Sequence, residues 1–233
     1  MPYFFYSGYL NYYLFMLPGL LIALWASMKV KSTFRKYSDF QNSRGLTGAQ
    51  AAQAVLNYYG ITNVRIESVG GDLTDHYDPR TNVIRLSESV YSSRSVAAVG
   101  VAAHEAGHAA QYAEKYVPIK IRMALVHVCN IGSTLALPLM LIGTILAIAQ
   151  LAMLGLALFS LSVVFQLITL PVEFNASRRA LSVIKERDLL YGEEYKAAKQ
   201  TLTAAAMTYV AALLQSLLLM LYYFLRITGS RRR

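Results

Sequence analysis

The sequence predicts a mostly α-helical membrane protein, with about four transmembrane helices and a small α+β domain that carries an HExxH helix. Three observations lead there. Apolar residues make up 55% of the 233 residues, which is high for a soluble chain. They gather into runs long enough to cross a bilayer. Between the first two runs lies a polar stretch, and it contains His104-Glu105-Ala106-Gly107-His108.

The first run, Tyr3 to Met28, starts rich in tyrosine and is followed by Lys29, Lys31, Arg35 and Lys36. Aromatic and basic side chains settle at membrane–water boundaries, so residues 1–28 read as a transmembrane helix. No basic region precedes the run and no small-residue cleavage site follows it, which makes it an anchor and not a cleaved signal.

Residues 29–122 turn polar and are expected to form the non-membrane domain. Thr47-Gly48-Ala49-Gln50 is a capping-box pattern, which predicts a helix to about Tyr59 that stops at Gly60. Asn63 to Val69 alternates as a strand does, Gly70-Gly71-Asp72 turns the chain, and Asn82 to Leu86 alternates again. The two strands are expected to pair antiparallel. Ser95 can cap a helix from Val96 to Ala113, which is rich in alanine and free of proline.

Ile131 to Leu170 holds no charged residue in 40 positions, about twice the length one helix needs to cross. Residues 123–172 therefore read as a hairpin of two spans joined near Gln150. Residues 173–203 are polar again. The apolar run Ala204 to Leu225, made less apolar by Gln215, makes 204–233 a fourth span with a basic tail.

In a helix, residues four apart share a face, so His104 and His108 can bind one metal while Glu105 stands beside the attacking water. A catalytic zinc needs a third protein ligand and one open position. The chain has one cysteine, Cys129, and Ala109-Ala110-Gln111-Tyr112 after the motif lacks a further histidine. A downstream carboxylate is needed instead. Glu173 stands out, because it ends a long apolar segment, whereas Glu114, Glu186, Asp188, Glu193 and Glu194 read as solvated helix charges.

Ligands of one metal must share a compartment, and a two-span hairpin between His108 and Glu173 satisfies that condition. Fourteen lysines and arginines flank the spans in the two polar loops, against Arg226 and Arg231 to Arg233 at the far end. The positive-inside rule then places both loops, and the candidate metal ligands with them, on the cytoplasmic side of the membrane. The same clustering explains the net charge of +9 by anionic lipid and excludes nucleic acid as a partner. The spans carry no acidic or histidine cluster of the kind an ion path needs, which argues against a transporter.

The loop Leu73-Thr74-Asp75-His76-Tyr77-Asp78-Pro79 reads equally well as a functional loop and as an ordinary Asp-Pro turn. With this loop, the Asn82 to Ser87 strand, the Ala102 to Gln111 stretch and Pro171-Val172-Glu173-Phe174-Asn175-Ala176-Ser177, the chain resembles the YugP-like bacterial neutral zinc metallopeptidases over nearly its whole length. Glu173-x-x-x-Ser177 is more distantly similar to the third-ligand helix of HtpX-like and CAAX-protease-like gluzincins, which usually carry an aspartate where Ser177 stands.

The resemblance implies a zincin-like domain in a membrane-embedded metalloendopeptidase, with Zn2+ on His104, His108 and Glu173 and with Glu105 as general base. For orienting a zinc-bound histidine the candidates are Ser177 itself and, since a serine supplies no negative charge, Asp75, Asp78 or Asn175. His76, Tyr77, Arg178 and Arg179 are candidates for stabilising the oxyanion. The partners expected are the lipid bilayer and a peptide or protein substrate, membrane-associated chains included, which could pair with the Val83 to Leu86 strand. The rival reading is a non-catalytic zinc-binding membrane scaffold or chaperone-like module. Glu105 argues against it, because that residue is not needed to hold metal.

Overall fold

A computed structural model of the chain defines the backbone of residues 2–230 and the side chains of 13–229. Its elements run α1 (Pro2–Ser38), α2 (Gly48–Tyr58), β1 (Arg65–Val69), β2 (His76–Asp78), β3 (Val83–Ser87), α3 (Glu88–Tyr91), α4 (Val96–Ala113), α5 (Val117–Ile145), α6 (Ala149–Glu186) and α7 (Gly192–Ser230). Among the described residues, four stretches are long and apolar enough to cross a membrane: Tyr13–Ser38, Val117–Ile145, Ala149–Glu186 and Gly192–Gly229.

Two compact units share these elements. One comprises Met1–Ala26, Ile121–Leu170 and Thr208–Arg233; the other comprises Ser27–Lys120 and Pro171–Met207. In the first, Ala136, Met140, Ala152, Leu156, Phe159 and Leu213 form the centre of an apolar core. Leu20, Leu24, Trp25, Leu135 and Leu141 remain exposed on the outer faces, as lipid-facing residues do. Glycines bring α5 and α6 together. A Cβ on Gly143 would lie 2.3 Å from the Ala152 amide nitrogen, and one on Gly155 would lie 2.6 Å from the Met140 nitrogen. Small residues at membrane helix contacts allow this approach of backbones. The hairpin turns at residues 146–148, slightly before Gln150, with Ala147 in the left-handed region and the Ile148 amide donating to the Gly143 carbonyl.

The second unit is built around α4. Alanines and valines line this helix almost all round, so α2, the sheet, the end of α6 and the start of α7 share one core with it. Val55, Leu56, Ile84, Leu86, Val99 and Ile184 are fully buried there, each worth about 1.5–3 kcal/mol of transfer from water. The helix signals read from the sequence are present: Thr47 and Gln50 form the capping box of α2, Gly60 takes φ +66°, and the Ser95 hydroxyl accepts from the Ala98 amide.

The sheet corrects the expected antiparallel pair. Its order is β1-β3-β2, with β1 parallel to β3 and β2 antiparallel to β3. The intervening 70–82 segment is long enough for the excursion that parallel neighbours require, and its middle forms β2. The tight turn joins β2 to β3: Asp78 accepts from the Arg80 amide and the Thr81 hydroxyl, and Asn82 takes φ +52°.

Candidate metal centre

His104 and His108 project from one face of α4 with their rings 4.7 Å apart. The third donor arrives on α6. Gly107, between the two histidines, makes this possible: a Cβ there would lie 2.6 Å from the Ala176 carbonyl oxygen, so only glycine admits α6 at this distance. Glu173, one turn earlier on α6, is buried, and its Oε2 lies 3.3 Å from His104 Nε2 and 3.5 Å from His108 Nε2. The three donor atoms fall within 4.8 Å of one another.

Donors held tetrahedrally on a zinc at about 2.0–2.1 Å stand about 3.3 Å apart, which is the spacing of the carboxylate from each imidazole. Two histidines and one carboxylate also leave a position open. The remaining ring nitrogens are engaged on the far side: His104 Nδ1 is 3.0 Å from Ser177 Oγ, and His108 Nδ1 is 3.0 Å from Gln111 Oε1. Both Nε2 atoms therefore turn toward Glu173. Burial opposes charge on His108, but the Glu173 and Glu105 carboxylates and Gln111 outweigh it and hold its pKa above the ordinary histidine range. The residues fit the metal.

Glu105 is nearly buried, and its Oε2 accepts a 3.0 Å hydrogen bond from the Tyr77 amide of β2. The 73–79 loop thus reaches the motif helix through its backbone. Asp75 accepts from the Ser87 amide at 2.8 Å and from the Ser87 hydroxyl; burial, with Glu105 adding, pushes its carboxyl above the usual range. Asp78 faces the turn, where the Thr81 hydroxyl, the Arg80 amide and Arg85 hold its pKa down to about 2. Neither aspartate is bonded to a metal-site histidine.

His76 is exposed, with Nδ1 2.8 Å from the Thr74 carbonyl oxygen. Tyr77 stacks edge-on against Tyr112 and donates its hydroxyl to Asn82. Arg178 is exposed, whereas Arg179 turns to Asn175 Oδ1 at 2.7 Å and to Glu114.

Four further findings add to or correct the sequence reading. The orienting contact to His104 comes from Ser177 itself. Gln111 and Glu114 join the surroundings of the site although neither was singled out for it; the signal for Gln111 was its position three residues after His108, on the same helical face. Glu194 is not a solvated charge, because it is nearly buried and accepts from the Ser43 and Tyr191 amides. The Val83–Leu86 strand is not open to a substrate strand either: β3 is central, with β1 and β2 on its two edges.

Among the described residues, four membrane-length helices and a part-buried two-histidine, one-carboxylate site define a membrane protein able to bind a metal. The chain belongs to the family described as "Putative neutral zinc metallopeptidase", which it matches over residues 12–228. It is 46% identical over 213 residues to the protein of Bacillus subtilis (strain 168) named "Putative membrane protease YugP", covering 91% of this chain and 95% of that one. No solved structure matches the chain significantly.

Proposed function

We propose that this protein is a membrane-embedded, zinc-dependent metalloendopeptidase with a zincin-like site, in which His104, His108 and Glu173 hold the metal and Glu105 is the general base. The observation that carries this reading is the convergence of three metal donors from α4 and α6 beside a carboxylate that the metal does not need. Zinc bound there would supply Lewis acidity to an attacking water and to the scissile carbonyl. Glu105 takes the water's proton as it attacks and returns it to the leaving amine. Tyr77, through its amide, holds the Glu105 carboxylate in place before substrate arrives.

The substrate is a peptide or protein, membrane-associated chains included. An extended segment would lie along β2, the sheet edge that touches Glu105. His76 and Tyr77 of β2 are the oxyanion candidates on that edge, while Arg179 is committed to Asn175 and Glu114. The basic loops favour a cytoplasmic active site. The test is X-ray absorption on the zinc-loaded protein in detergent. One zinc per chain with two nitrogen ligands and a carboxylate oxygen at about 2.0–2.2 Å is expected. A zinc spectrum unchanged in a Glu173→Ala variant would remove that residue from the site.

A further inference from the structure

One chain of hydrogen bonds leads away from the metal site, and its polarity is fixed at both ends. Arg179 Nε can only donate, and it donates to Asn175 Oδ1 at 2.7 Å. Asn175 Oδ1 also accepts from Gln111 Nε2 at 3.0 Å, and the same Nε2 donates to the Val172 carbonyl, which can only accept, at 2.7 Å. Gln111 is fully buried, so water does not compete for its amide. Turning the amide over would set its oxygen against two acceptors. Its Oε1 must therefore face His108 Nδ1, 3.0 Å away, as an acceptor.

We infer that Gln111 is a positioning residue for His108. Its carbonyl oxygen requires the proton on Nδ1 and leaves the Nε2 lone pair for the metal, and its amide ties α4 to the residues either side of Glu173. This rests on the zinc reading above. A histidine's free nitrogen takes the role that the other nitrogen's partner leaves it. His104 lacks such a lock, because Ser177 Oγ can donate as well as accept. The two histidines are thus unequal: one tautomer is dictated by an arginine three bonds away, the other is adjustable.

The test uses the full chain in detergent, with zinc affinity from chelator competition for wild type, Gln111→Leu and Gln111→Glu, and with the metal-free melting temperature of each as a folding check. Leu removes the acceptor and should weaken zinc about 10–100-fold, the usual effect of losing a ligand's outer partner. Glu keeps an acceptor for His108 Nδ1 but cannot donate to Val172 or Asn175, so a positioning role predicts zinc affinity close to wild type, whereas a merely structural cross-link predicts a loss at least as large as with Leu. Proton NMR of the zinc-loaded wild type should also show a slowly exchanging His108 Nδ1–H that Gln111→Leu loses. A Leu variant that binds zinc like wild type, or a Glu variant as weak as Leu, overturns the inference while leaving the site intact. A wild type that binds no zinc overturns the zinc reading and this role together.

Discussion

At the scale of single residues, small side chains decide as much as charged ones. Gly107 is the space through which α6 approaches the histidines, so Gly107→Ala should displace Ala176 and with it Glu173. Overpacking of this kind costs about 1–3 kcal/mol. The expected outcome is a lower melting temperature together with weaker zinc binding, read by thermal denaturation and chelator competition; a variant normal in both would separate the α4–α6 contact from the metal site. Asp78 gives a pH signature. Its folded pKa of about 2 lies below the ordinary aspartate value, so its contribution to the β2–β3 turn is full above about pH 4 and is lost as pH falls through about 2. NMR of the turn should show that loss, and Asp78→Asn should remove the pH dependence; an Asp78 carboxylate that titrates near 4 would contradict it.

At the scale of elements, local signals were legible wherever the backbone itself sets the boundary. The capping box of α2, the Ser95 cap of α4 and the glycine after α2 are each found where the residues place them. The hidden element was β2. Three residues, His76 to Asp78, are too few to show alternation, and missing them inverted the expected pairing of β1 and left β3 seeming free. The three residues that lie close enough to hold a metal were legible from helical spacing and from the isolated Glu173. The buried amide network was legible only at its His108 end, where Gln111 follows three residues later, because nothing in the sequence sets Val172 and Asn175 beside it. The α5–α6 hairpin yields its own prediction. Gly155→Leu places a side chain against the Met140 nitrogen and the Ala136 carbonyl, so the protein should melt at a lower temperature in detergent; an unchanged melting curve would deny close backbone packing there.

At the scale of the whole molecule, α5 and the first part of α6 separate the histidines from Glu173 along the chain, and both helices are long enough to cross. Two crossings would return Glu173 to the compartment of His104. Cysteine probes at Ser43 and Ser182 on a Cys129→Ser background should then be protected together from an impermeant reagent in intact cells, on the cytoplasmic side that the basic loops favour. A probe at Ser230 should label from outside if α7 also crosses. Labelling of Ser43 from outside would reverse the orientation. Glu105 separates the proposed hydrolytic zinc site from one that merely binds zinc. Bound zinc and casein cleavage should be measured on purified wild type and on Glu105→Gln. Both proteins should carry zinc, and the variant should lose at least about a hundredfold in turnover, the scale of general-base catalysis. A Glu105→Gln protein that cleaves casein as wild type does would contradict a general-base role for Glu105 and with it the hydrolytic site.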